Sequence, residues 1–144
     1  MNMKKSHIIL TCIFFLAVMT QSCKYEEGPA LSLRSKNTRA VNAWVIDQVF
    51  ENGNEKTEEY KNTFVNYKAE LKDDDTYIIQ YRPFNISDYT EKGTWQFSDD
   101  KLKIEFTAEN QNEGNPWRIL RLKEHEAWIV QQINGKEVEL RLKD

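Results

Sequence analysis

The residues able to do chemistry in this chain are few, and their spacing points to binding rather than to catalysis. Beyond residue 22 there is one histidine, His125, within Lys123-Glu124-His125-Glu126. No base-plus-orienter set accompanies it, so no nucleophilic triad can be read. A turn histidine between glutamates is expected to be solvated rather than metal-ligating. Asp73-Asp74-Asp75 and Asp99-Asp100 are acid clusters. Each falls where a tight turn is expected, and aspartate there hydrogen-bonds its own backbone. Neither has the spacing of a calcium loop. The five glycines are scattered, with no phosphate-binding run. The positive signal is aromatic. Trp44, Tyr67, Tyr77, Tyr81, Trp95 and Trp128 fall on faces that strands would turn inward. Rings with a polar tip suit a ligand that has an apolar body and one polar group. Gln48, Arg118 and Gln132 could point inward too. A buried arginine must be paired or wet, and an inward Arg118 would favour a polar or anionic ligand. The candidate ligand-binding residues are therefore Trp44, Tyr67, Tyr77, Tyr81, Trp95 and Arg118. Nothing in the pattern names a cofactor, a metal site or a catalytic residue.

Those rings must be positioned by strands. From Ala40 onward, short runs rich in aromatic and β-branched residues alternate with Asn, Asp and Gly clusters, about one run per ten residues. Val41–Phe50 places Trp44, Ile46 and Phe50 on one face. Phe64–Leu71 places Val65, Tyr67, Ala69 and Leu71 together, and Thr76–Arg82 places Tyr77, Ile79 and Tyr81. Thr90–Phe97 carries Gly93, Trp95 and Phe97, and Lys101–Thr107 carries Leu102, Ile104 and Phe106. Trp117–Lys123 carries Leu120 and Leu122, and Ala127–Ile133 carries Trp128 and Val130. Asn134-Gly135 is the strongest hairpin signal, since a type I′ turn needs positive φ at both central positions. Lys136–Lys143 then sets Val138, Leu140 and Leu142 against charged residues. Most of the eight runs alternate cleanly, so each has one wet and one buried face. Short links make successive strands antiparallel neighbours. Glu55–Lys61 offers one or two helical turns at most. The reading is all-β, an eight-stranded antiparallel up-and-down barrel closed to remove its edges. Such a barrel is either packed solid or holds one small ligand, and the sequence leaves both open.

The start of the chain supplies an address. Lys4 and Lys5 precede Ile8–Met19, an apolar run of 12 residues, and Thr20-Gln21-Ser22 precedes Cys23. A basic n-region, a short h-region and a small residue before the cut describe a secretory signal peptide. The run falls short of the roughly 20 residues a spanning helix needs. A cysteine directly after the small residue resembles the lipobox of bacterial lipoproteins, where the cut precedes a lipid-modified cysteine. That resemblance implies that Cys23 is the lipid attachment site. Cys12 leaves with the signal, so the folded domain keeps no thiol for a disulfide, a metal or a nucleophile. Losing Lys4 and Lys5 takes the net charge from −3 to −5. An acidic balance excludes a nucleic-acid footprint and a polybasic membrane patch.

Several local patterns resemble lipocalin-like lipoproteins of Bacteroidetes-type bacteria. Asn42-Ala43-Trp44 stands where lipocalins carry Gly-x-Trp, with Asn42 in place of glycine. Gly93-Thr94-Trp95, the Ser98-Asp99-Asp100 turn and Leu102-x-Ile104 are similar to the central hairpin of such domains. Trp117, Leu122 and Trp128 resemble their later strands, and Ser32-Leu33-Arg34-Ser35-Lys36 through Arg39 resembles their tether. The resemblance implies a calycin-type barrel, a lipid anchor and no catalytic residues. Lys24-Tyr25-Glu26-Glu27 is similar to the export tags that send such lipoproteins to the cell surface. The expected organisation is a signal peptide over 1–22, a lipid-anchored tether over 23–39 and a barrel over 40–144. The expected place is the cell envelope, at the outer membrane, and the expected function is non-catalytic binding of a small apolar or amphipathic molecule. The alternative is a filled barrel that meets a protein through its loops, as an envelope-complex subunit or an enzyme inhibitor.

Each acyl chain of about fifteen buried methylenes contributes on the order of 10 kcal/mol of membrane affinity at ~0.8 kcal/mol per CH₂. Cys23→Ala is expected to release soluble protein or leave an uncut precursor in cell fractionation. A processed mutant still sedimenting with membrane would contradict lipid attachment at Cys23.

Overall fold

The structure is a computed structural model and describes residues 34–110 and 114–144. Cys23, the signal peptide and the first part of the tether lie outside the described residues. The chain begins with a short helix, α1 (Lys36–Ala40), whose N-cap is Ser35, its hydroxyl accepting from the Thr38 N–H. Strand β1 (Asn42–Glu51) follows, with a two-residue return, β2 (Asn54–Glu55), and a second helix, α2 (Thr57–Thr63). Then come β3 (Phe64–Leu71), β4 (Thr76–Pro83), β5 (Tyr89–Phe97) and β6 (Lys103–Ala108). The last three are β7 (Trp117–Leu122), β8 (Glu126–Ile133) and β9 (Lys136–Lys143). Every neighbouring pair is antiparallel, and β1 pairs with both β3 and β9. Because β2 only folds back on β1, eight strands close the barrel. The last part of the expected tether, 36–39, is thus helical.

Turn chemistry accounts for the hairpins. Asn134 and Gly135 have φ of 52° and 76°, as a type I′ turn demands. Asn52-Gly53 repeats that geometry, with φ of 51° and 79°, and makes a hairpin inside what reads from sequence as a long connection. Asp74 accepts from the Thr76 N–H and hydroxyl, and Asp100 from the Leu102 N–H and the Ser98 hydroxyl. Those bonds hold both carboxyls below their usual pKa range, so both acid clusters serve their turns.

Three β-bulges correct the inward faces expected from simple alternation. An extra residue reverses which side every later side chain faces. The β1 register shifts between Ile46 and Gln48, so Val49 is buried and Phe50 is turned outward. The β3 register shifts between Val65 and Lys68, with Asn66 at φ 57°. Tyr67, Ala69 and Leu71 remain inward, but Phe64 replaces Val65 against the core. In β7 the shift between Ile119 and Arg121 makes Trp117, Ile119 and Leu122 the buried set. Leu102 lies in the turn before β6 and is exposed.

Trp128 faces outward, contrary to expectation. Its register neighbours Ala127 and Ile129 pair with the buried Leu142 and Leu140, so they hold the inner side. The guanidinium groups of Arg121 and Arg141 lie 4.7 and 4.2 Å from the Trp128 ring, and Arg141 also stacks 4.4 Å from Phe50. Gln48 is on this outer face too, accepting from Arg141 at 3.2 Å.

One end of the barrel is packed. Trp44, Leu71, Trp95, Leu122 and Leu142 are buried there under α1, with Ala40 fully covered. The Trp44 indole donates to the Ala40 carbonyl at 3.0 Å, and the Trp95 indole to the Lys72 carbonyl at 3.0 Å. Asn42, at the position where the lipocalin pattern has glycine, donates to the Glu124 carbonyl and to Asp144. His125 is exposed and sits 2.7 Å from Asp144, whose carboxylate raises the imidazole pKa. Gly93 is required in β5, because a Cβ would lie 2.0 Å from the Thr107 carbonyl oxygen of β6.

Truncating a buried tryptophan typically costs about 3–5 kcal/mol. Trp44→Ala should therefore remove a large share of the domain's stability in urea denaturation. Arg34→Ala breaks an exposed ion pair with Glu124, and surface pairs of this kind are worth under about 1 kcal/mol. Equal losses would show that α1 and its approach hold the barrel as strongly as its core does.

Candidate functional site

The opposite end is not packed, and the backbone shows why. Pairing of β1 with β3 runs only from Asn42 to Val45. Beyond it, β1 continues along β9, with only the two-residue β2 against its far end, and α2 occupies the space left beside it. Thr57 and Lys56, at the start of α2, take over the role of a strand partner. The Val49 N–H donates to the Thr57 hydroxyl at 3.1 Å, and the Lys56 N–H donates to the Val49 carbonyl at 2.8 Å. Across the barrel, β6 and β7 pair only at Lys103–Arg118 and Ile104–Trp117. Where they part, the Gly114 N–H donates to the Phe106 carbonyl at 2.9 Å. A Cβ at Gly114 would come within 2.8 Å of Phe106.

Between these two seams lies a cavity of about 300 Å³, at the lower end of the range for ligand pockets. One wall is aromatic and runs from α2 to β5 through Tyr60, Phe64, Tyr67, Tyr81 and Tyr89. Ring centroids are 6.0 Å apart for Tyr60–Phe64, 5.1 Å for Phe64–Tyr81, 6.3 Å for Tyr67–Tyr81 and 4.6 Å for Tyr81–Tyr89. The facing wall and floor carry Phe106, Trp117, Ile46 and Leu140, and the rim carries Asn115, Gln132 and Asn134. Glu91 is the charged side chain of the lining among the described residues. Tyr77 lies beneath, packed edge-on against Phe106 at 4.9 Å. Its hydroxyl donates to Glu91 Oε1 at 2.7 Å, and the Tyr89 hydroxyl donates to Oε2 at 3.0 Å.

This geometry perturbs the tyrosines. Burial first, then the hydrogen bond to Glu91, pushes Tyr89 up to about 12. Burial and Glu51 do the same for Tyr60, also up to about 12. Tyr67, Tyr77 and Tyr81 are raised as well, burial being the main cause. At neutral pH the phenols of this wall are therefore protonated.

Of the six residues proposed from sequence, Tyr67, Tyr77 and Tyr81 converge here. Trp44 and Trp95 are buried at the packed end. Arg118 is outside the barrel, its guanidinium 3.0 Å from Glu137 in a half-exposed pair. Because Trp117 and Ile119 take the inner side of β7, Arg118 between them must face out. Sequence reasoning missed Glu91, Tyr89, Phe64 and Trp117. Glu91 and Tyr89 lie two and four residues before Gly93 on the same strand face, so period two could have found them. Phe64 was hidden by the bulge. Among the described residues, no group of three or more potential ligands could hold a metal ion.

An all-β, eight-stranded antiparallel barrel, closed by β1 against β9 and entered from one end, is a lipocalin-like fold. Among solved structures it is similar to the crystal structure, at 1.79 Å resolution, of a lipocalin-like protein from Bacteroides uniformis ATCC 8492. The TM-score is 0.53 at 6% identity, over 74% of this chain and 98% of that one. At that identity the likeness is one of fold. No family model matches the sequence, and no curated protein matches it.

A tyrosine whose folded pKa is raised adds stability that is intact below the unfolded value and lost as pH rises toward the folded one. Stability in urea should therefore fall from about pH 10 upward. In near-UV absorbance, Tyr60 and Tyr89 should ionise only on approach to pH 12. Ionisation of every tyrosine near pH ~10 in the folded protein would contradict this packing of the aromatic wall.

Proposed function

We propose that this is a lipid-anchored protein of the bacterial cell envelope whose barrel binds one small apolar or amphipathic molecule without chemical change. The cavity carries this reading. Aromatic faces supply apolar contact, while tyrosine hydroxyls, Asn115, Gln131 and one carboxylate offer a few convergent polar groups. The lining holds no serine, histidine, cysteine or lysine among the described residues. The address rests on the signal-peptide pattern and Ser22-Cys23, with attachment at Cys23 and placement at the outer membrane. Surface exposure rests on Lys24-Tyr25-Glu26-Glu27.

A second reading is favoured by one observation. Phe84 and Ile86, on the β4–β5 connection at the open end, are 67% and 81% exposed. Phe84 is held at φ 47°, a region costly for a bulky side chain. A protein partner docking on this loop would give both features a use.

The readings separate in a titration with octan-1-ol. Trp117 lines the cavity, so its fluorescence should change saturably. Tyr81→Ala should weaken binding about tenfold, or ~1.4 kcal/mol, while Arg118→Ala leaves it unchanged. Absence of saturable binding would contradict the cavity reading. Native mass spectrometry showing a protein partner, lost in Phe84→Ser/Ile86→Ser, would support the second.

A further inference from the structure

We propose that the barrel's ligand carries a positive charge, an amine or ammonium head on an apolar body, with Glu91 as its counter-ion. This rests on the cavity being a binding site and names the chemical class of what it holds. The carboxylate is half-buried in a wall of rings. Tyr77 and Tyr89 each donate one hydrogen bond to it, one per oxygen, and so fix its orientation. A carboxylate offers about four acceptor sites, so capacity remains for an N–H donor arriving from the cavity. No lysine or arginine lines the cavity among the described residues.

The surroundings have the same sign. Apart from the tyrosines' action on one another, the charges felt by Tyr67, Tyr77, Tyr81 and Tyr89 come from Glu91 and, for Tyr77, also from Glu109. Three basic residues on the surrounding elements are engaged by carboxylates, Lys56 with Glu59, Arg82 with Asp88 and Lys136 with Glu51. An anionic head would meet Glu91 without a compensating cation. An ammonium would meet Glu91 and the faces of Tyr81 and Tyr89, which attract cations through the ring quadrupole. The polarity is opposite to that implied by an inward Arg118.

The test compares octylamine, octan-1-ol and octanoate by calorimetry at neutral pH, a series with one chain length and three head groups. Octylamine should bind about tenfold or more tighter than octan-1-ol, with octanoate weakest. Glu91→Gln, which keeps the size and the acceptor oxygen, should erase the preference while octan-1-ol binding persists. Tyr89→Phe, which leaves the carboxylate in place, should preserve the order. Equal or tighter binding of octan-1-ol or octanoate by the wild type would overturn the cation assignment and leave the cavity reading standing. An amine preference unchanged in Glu91→Gln would also overturn it. Failure of all three probes to bind would overturn both.

Discussion

The open end exists because β1 cannot pair with β3 along its whole length. The strand has ten residues, and only the first four face β3 in register. A bulge after Ile46 keeps the rest aligned with β9, which closes the barrel. The freed backbone of Val49 still needs partners, since an unpaired buried amide or carbonyl costs about as much as a lost hydrogen bond. Lys56 and Thr57 supply them from the start of α2. Thr57, the one buried polar residue among the described positions, is buried for that purpose. A helix in place of a strand pair carries Tyr60, and Phe64 just after it, into the aromatic wall of the cavity.

The two ends therefore divide the work. At the packed end, tryptophan rings fill the barrel and spend their indole N–H groups on backbone carbonyls. At the open end, phenol rings line a space, with the Tyr89 hydroxyl donated to Glu91 and the Tyr60 hydroxyl to Glu51. Tyr77 joins them, with its ring in the core and its hydroxyl at the cavity floor. The outer face is stabilised separately by Arg121 and Arg141 around Trp128, so that tryptophan is satisfied without entering the barrel.

Fold class was legible because most runs alternate and because Asn-Gly and Asp-rich turns mark their ends. Bulges were not legible. They leave composition unchanged and move the register by one residue, which is how Phe50 and Val49 exchange faces. Trp128 was misread because Ala127 through Val130 is apolar throughout, so alternation offers no choice of face. The aromatic wall was partly legible through Tyr67 and Tyr81. Its charge was not, because a glutamate beside a lysine on a strand reads as solvated until Tyr77 and Tyr89 are seen to hold it.

The most direct test of a barrel packed at one end and receptive at the other is a map of where a small amphiphile sits. Backbone amide resonances should be followed by NMR as octylamine is added. Shifts concentrated at Tyr67, Tyr81, Glu91, Trp117 and Gln131, with Trp44 and Trp95 unmoved, are the expected result. Shifts confined to the outer face around Trp128, or to the packed end beneath α1, would contradict the account.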